Sequence, residues 1–249
     1  MKVLFSCSES KNAVNPLEPL SPYSFEFESL HHNRKLLLKL YQEQINTLDD
    51  TSLKSLFGIT KDILLEEYKR LDIFKDGTNK AVELYDGVGY KYLDYASLDY
   101  DSQFFVDNNV IIFSNLFGPV LAKDTIPLYK LKQGHKLDNI QIDKFYKEHS
   151  KECLDEFIGD DLIVDLRAGY YDGFYDVSDK YHIKVKFLKD GKTVSHYSKA
   201  FRGVFLRAMS QKEKLRDIHH LLTMHIPQMR YLDISENGKE TTIIFEIIE

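Results

Sequence analysis

Three short apolar runs set the terms for this chain. KVLFS (2–6), the opening of NVIIFSNLFG (109–118) and the start of DDLIVDLRAGYY (160–171) carry consecutive branched or aromatic residues with no polar alternation at their centres. A strand that buries one face alternates apolar with polar residues, whereas a run that is apolar throughout must be covered on both faces. All three therefore read as buried strands, and 109–118 as a central strand. They imply a partly parallel sheet with helices packed around it.

The segments between them carry helical signals. NRKLLLKLYQEQINTL (33–48) puts Leu37, Leu40, Tyr41 and Leu48 near one face. TSLKSLFGITKDILLEEYKRL (51–71) reads as two helices meeting at FGIT, with Gly58 at the break and Thr60 capping the second. KAVELYDGVGYKYLDYASL (80–98) begins helical and turns at its two glycines, and 137–158 is an amphipathic helix. KAFRGVFLRAM and QKEKLRDIHHLLTMH read as two further helices. Asp190-Gly191 and Asn237-Gly238 mark hairpins, and Pro16, Pro19 and Pro22 keep the loop after the first strand extended. Strands and helices intersperse without strict alternation. The fold class is mixed α/β (α+β), a compact single domain over 1–249 with helices around its central sheet. A chain of 249 residues is long enough to bury such a core.

Net charge narrows the function. At −6, with a pI near 5.9, the chain cannot coat nucleic acid through bulk charge, so any such contact needs a local patch. SHYSKAFRGVFLRAMSQKEKLR (195–216) is such a patch: Lys199, Arg202, Arg207, Lys212, Lys214 and Arg216 stand against Glu213 alone, a local charge of +5. Lys199 and Arg202 share a helix face, and Ser195, Tyr197 and Ser198 lie at the helix start, where free backbone N–H groups favour an anion. The alternative is a solvated helix face. SLFGITKDIL (55–64) resembles the turn of a helix-hairpin-helix element, in which Gly58, Thr60 and Lys61 would meet a DNA phosphate. The motif normally has two glycines and this copy has one, so an ordinary helix corner is the competing reading.

Other motifs exclude more than they support. YDGVGYKYL has G-x-G without a third glycine, and there is no P-loop, H-E-x-x-H or G-x-S-x-G. His219, His220 and His225 lack the i, i+4 spacing of helical metal ligands, so no metal is expected. Nor does any motif imply a cofactor. Cys7 and Cys153 form no metal or CxxC spacing, which fits a reducing cytosol. Cys7, near Lys11, is a candidate peroxide-reactive thiol or else a small buried hydrophobe. Asp86, Asp94, Asp99, Asp101 and Asp107 are paired acids or a solvated loop. The apolar run at the N-terminus is too short for a signal peptide, and none approaches the ~18 residues of a membrane span. A cytoplasmic location with no membrane partner is expected.

Taken together, four stretches resemble the YaaA family of bacterial peroxide-stress proteins. They are LFSCSESKN, YDGVGYKYL, the set FSNLFG with Asp124, LYK and Gly134, and YSKAFRG (197–203). IVDLRAGYY looks like a further family strand between them. The resemblance implies a single α/β domain with a cleft lined by these loops, a helix-hairpin-helix element, and binding of double-stranded DNA, without sequence preference, through a positive cleft. It also implies a cytosolic role in limiting free iron and oxidative damage. Lys11, Asp124, Tyr129, Lys130, Tyr197, Lys199, Arg202 and Gly203 match the family's positions. Departures are Cys7 in place of a proline, Lys11 displaced along its loop, Leu121-Ala122 in place of Arg-Pro, and Lys130 in place of an arginine, which loses the bidentate fork. An enzyme acting on a nucleotide-like or phosphorylated small ligand in the same cleft, with Asp124 as base and Tyr197 as acid, is the second reading.

Overall fold

The computed structural model describes residues 1–13, 16–193, 195–212 and 215–248. Glu213 and Lys214 of the basic stretch lie outside them. In chain order the elements are β1 (Lys2–Ser6), α1 (His31–Thr47), α2 (Asp50–Phe57), α3 (Asp62–Tyr68), β2 (Thr78–Lys80), α4 (Ala81–Leu84), α5 (Val88–Leu93) and α6 (Tyr100–Asn109). Then follow β3 (Val110–Ser114), β4 (Gly118–Leu121), β5 (Thr125–Pro127), α7 (Ile142–Ile158), β6 (Ile163–Asp165), β7 (His182–Lys189), β8 (Lys192–Thr193), α8 (Ser195–Ser210), α9 (Ile218–Leu222), β9 (Met229–Asn237) and β10 (Glu240–Ile247).

The main sheet runs β4-β3-β1-β6-β7-β10-β9, with β8 added to β7. β3, β1, β6, β7 and β10 are mutually parallel, while β4 and β9 are antiparallel edges. The three apolar runs are its inner strands, as expected: every residue of β3 and β6 is buried, as are Val3, Leu4 and Phe5 of β1. β2 and β5 form a separate two-stranded ladder. Buried residues from helices and sheet make one continuous core. Among the described residues no helix is long and apolar enough to cross a membrane.

Several boundaries differ from expectation, each for a local reason. The expected helix at 137–158 starts at Ile142, because Leu137 and Ile140 close a tight turn on each other, with Asp138 at φ 51°. Among the described residues, the expected helix over QKEKLRDIHHLLTMH is formed at Ile218–Leu222; the Asp217 carboxylate accepts from the His220 N–H and starts the helix there. Helix α6 carries too little apolar periodicity to be read from sequence; Asp99 caps it through the Ser102 N–H at 2.8 Å. The glycines of YDGVGYKYL are not both in a turn: Gly87 precedes α5 and Gly89 lies inside it.

That glycine matters for packing. Helix α8 packs against α5 and β7. A Cβ on Gly203 would collide with the carbonyl oxygen of Gly89, so the two helices meet backbone to backbone. In an open helix, Gly→Ala is worth about 1 kcal/mol of stabilisation. Here Gly203→Ala is expected to lower stability by about 1–3 kcal/mol through overpacking, read as a fall in the urea midpoint.

Candidate functional site

The parallel order places a topological switch point at the carboxyl ends of β1 and β6. From β1 the next parallel strand, β3, lies on one side; from β6 the next, β7, lies on the other. The connections leave in opposite directions and open a crevice, the usual ligand position in open α/β sheets. A cavity of about 470 Å³ occupies this place. Its lining comes from the β1 end (Phe5 to Ser10), the β6 end (Leu166, Ala168, Tyr171), the start of α5 (Gly87 to Tyr90), Gln133, and Lys199 and Arg202 of α8.

Each wall has a physical anchor. Arg167, buried just after β6, forms a bidentate pair with Asp165 (Nε–Oδ1 2.9 Å, Nη2–Oδ2 2.7 Å). Its Nη1 donates to the carbonyls of Tyr171 and Tyr175, which fixes the turn carrying Tyr171. Burial opposes charge on Asp165, yet the hydrogen bonds and charge of Arg167 hold its carboxyl below the ordinary range. The Ser6 hydroxyl accepts from the Ala168 N–H at 2.8 Å and joins the two strand ends. Tyr90 donates to the Ser6 carbonyl at 2.9 Å, and its ring meets Phe5 edge-on.

Behind the β1 loop lies a chain of buried hydroxyls. Tyr171 Oη is 3.2 Å from Cys7 Sγ, which is 3.9 Å from Asn115 Oδ1. Tyr129 donates to Asn115 Oδ1 at 2.9 Å and contacts Ser114 Oγ and Tyr85 Oη at 2.9 and 3.0 Å. Burial pushes the Cys7 thiol up, which disfavours the thiolate of the peroxide-reactive reading and agrees with the alternative of a small buried side chain. Lys11 sits on this layer. Its ammonium donates to the Ser8 carbonyl at 3.0 Å and lies 4.0 Å from the centre of the Tyr129 ring. Burial, helped by the nearby charge of Lys130, lowers its pKa to about 8.

Of the expected site residues, the structure brings Lys199 and Arg202 into the cleft, with Lys11, Tyr129 and Lys130 close behind it. Lys130 is held by its backbone, whose N–H donates to Tyr41 Oη and whose carbonyl accepts from it. Gly203 faces Gly89 and not the cavity. Asp124 lies outside the lining: its carboxylate accepts from the Glu26 and Leu121 N–H groups, and burial pushes its pKa up to about 6. Tyr197 is exposed, with the Lys189 ammonium 4.9 Å from its ring centre. Gly58 caps α2 in the left-handed region at φ 67°, and its N–H is directed to the Lys54 and Ser55 carbonyls. The Ile59 N–H also returns to Lys54. With these amides bonded inside the corner, the geometry lends no support to a phosphate-binding helix-hairpin-helix turn at Gly58 and Lys61. Of the loop acids, Asp99 is a helix cap, and Asp107 pairs with Lys80 and Tyr95. Residues that sequence reasoning missed are Gln133, Ala168 and Tyr171; Glu9 lay within the LFSCSESKN motif but was not singled out. Only the match of IVDLRAGYY to a family strand pointed near Ala168 and Tyr171.

A larger cavity of about 580 Å³ is lined by residues including Lys80, Asp86, Lys91 and Asp94. Its two lysines are engaged: Lys80 pairs with Asp107 at 3.0 Å and Lys91 with Asp86 at 3.7 Å. In the switch-point cleft, no carboxylate among the described residues comes within 4.0 Å of Lys199 or Arg202; Asp165 and Asp172 pair with Arg167. Burial lowers the Arg202 pKa, while Asp165 and Asp172 act at longer range to support its charge.

Fold and cleft together define an α/β protein with a cation-bearing pocket at the switch point of a parallel sheet. The chain belongs to the family of the peroxide stress protein YaaA, whose model matches residues 1–233. The family is named for peroxide stress, and that name supports an oxidative-stress role. The chain is 41% identical over 249 residues to an uncharacterized protein of Campylobacter jejuni, covering 100% of each. It is also 29% identical over 215 residues to a UPF0246 protein of Streptomyces coelicolor, covering 84% of this chain and 82% of that one. A UPF0246 protein of Corynebacterium glutamicum is 29% identical over 248 residues, covering 97% and 98%.

The lowered lysine gives a signed pH effect. Between about pH 8 and the ordinary lysine value of 10.5, the unfolded chain holds a proton that folded Lys11 has released. The unfolded state then binds more protons, so this residue's contribution makes stability rise with pH across that window. Urea unfolding at pH 7.5 and 9.5 is expected to show a rise in wild type relative to Lys11→Met.

Proposed function

We propose that this member of the peroxide-stress family binds DNA through the face that carries the switch-point cleft. The observation behind the reading is that Lys199 and Arg202 lie side by side on α8 at the cavity, without a carboxylate partner within 4.0 Å among the described residues. Two cations with no carboxylate within 4.0 Å among the described residues, in a chain of net charge −6, are suited to an anion supplied from outside. The DNA backbone is a dense array of such anions, and sequence-independent binding follows from phosphate contacts. Lys11 and Lys130 add positive potential behind the loop. DNA is also a target of peroxide-derived radicals, which ties this binding to the family's name.

The setting proposed is the cytoplasm, where the free thiols of Cys7 and Cys153 would stay reduced. Limitation of free iron belongs to the proposal on the family resemblance alone.

The test is fluorescence anisotropy of a labelled duplex over a salt series. Wild type is expected to lose affinity steeply as salt rises. The Lys199→Ala/Arg202→Ala variant should bind more weakly, with a log–log salt slope shallower by about 2, close to one per phosphate contact removed. Equal slopes for the two proteins would remove these residues from the interface. Absence of binding by wild type at low salt would end the DNA reading.

A further inference from the structure

The cleft differs from a flat phosphate-binding surface in shape and chemistry. At about 470 Å³ it falls in the range of sites that enclose a small organic ligand, roughly 300–1,000 Å³. A duplex can lay its backbone along the mouth but cannot enter. One wall is apolar and partly aromatic, with Phe5, Ala168 and Tyr171. At the rim the exposed side chains of Glu9 and Gln133 offer an acceptor carboxylate and an amide that both donates and accepts. Lys199 and Arg202 stand on the α8 side. An apolar wall, hydrogen-bonding groups at its edge and a pair of cations match the three parts of a nucleotide: base face, base edge and phosphate.

We propose that the switch-point cavity takes a single nucleotide unit, its base against the Tyr171–Ala168 wall and its phosphate on Lys199 and Arg202. Where the nucleotide belongs to DNA, it enters as a base swung out of the duplex. That part rests on the DNA-binding reading above. Swinging a base out costs stacking and pairing, and the cost is least at a mismatched or damaged position. The cavity therefore selects lesions or mismatches over intact duplex without reading sequence. The walls are braced for this: Arg167 fixes the Tyr171 turn from below, and a Cβ on Gly87 would collide with the Ser8 hydroxyl. A free nucleotide has the same chemistry, so the two sources are separated by experiment.

The first arm uses a duplex with 2-aminopurine at one mismatched position, whose fluorescence rises when the base unstacks; anisotropy reports binding in the same sample. The second arm uses deoxyadenosine monophosphate in a thermal-shift assay. Wild type is expected to give a several-fold rise in 2-aminopurine fluorescence and a nucleotide-dependent increase in Tm. Ala168→Trp, which fills the wall, should lose both signals while still binding intact duplex. Val88→Trp, at the exposed end of α5, repeats the block should the first variant misfold.

DNA that is bound with no fluorescence rise, together with no Tm shift, overturns the proposal and leaves the DNA reading standing. Signals that persist in both blocked variants overturn it as well. A Tm shift without a fluorescence rise assigns the cavity to a free nucleotide and overturns the swung-out base. If wild type binds no DNA at all, the DNA reading fails, and the nucleotide arm alone decides the cavity.

Discussion

The candidate site depends on one buried guanidinium. Arg167 has its forked face on Asp165 and its remaining Nη1 on two carbonyls of the following turn, and its Cζ lies 4.8 Å from the centre of the Phe113 ring. Desolvating such a pair is costly unless its hydrogen bonds are satisfied. Here the pair spans the end of β6 and the turn that supplies Tyr171, so the same bonds that make the charge tolerable also set the cavity wall. A hydrophobic replacement of similar volume can fill the space, but it could not hold two carbonyls at fixed positions.

A second buried cation has a different duty. Arg34 donates to the carbonyls of Phe27, Phe117 and Pro119 and stacks 4.2 Å from the Phe25 ring centre. It ties the polar loop after β1 and helix α1 to the β3–β4 hairpin. The molecule thus uses arginine in two ways. Arg34 and Arg167 are buried, bond to carbonyl or carboxylate groups of the fold and act as internal struts. Lys199 and Arg202 lack close carboxylates among the described residues and face the cleft. Counting positive residues does not separate these roles; burial and partners do.

The sheet was legible because its inner strands are covered on both faces: Val110 to Phe113 and Ile163 to Val164 show no polar alternation. Helix α6 was not, because only Ser102 and Val106 are buried along it and Phe104 is 57% exposed. In the cleft, Lys199 and Arg202 stood out through their charge, and the Ser6–Ser10 loop through its motif. Ala168 and Tyr171 did not, because β6 joins β1 only through the strand order. Two glycines show the limit most clearly. Gly203 was carried over with binding residues, and the structure sets it against another helix's backbone. Gly58 marked the helix corner correctly, yet its N–H is directed to α2, a detail that residue type does not reveal.

The backbone contact between Gly203 and Gly89 bears on how the cleft would recognise the proposed ligand. With no side chain between them, the helices have no compressible layer through which to slide or rotate. Lys199 and Arg202 ride on the same rigid helix, so the direction in which they project is set when the chain folds. For the nucleotide proposed above, an arrangement of this kind would work as a gauge: it would accept what already fits the fixed separation of cations and apolar wall, and would not close around a poor match. On that proposal the discrimination would come from the rigidity of the frame, with the arginine and lysine side chains supplying only the final adjustment.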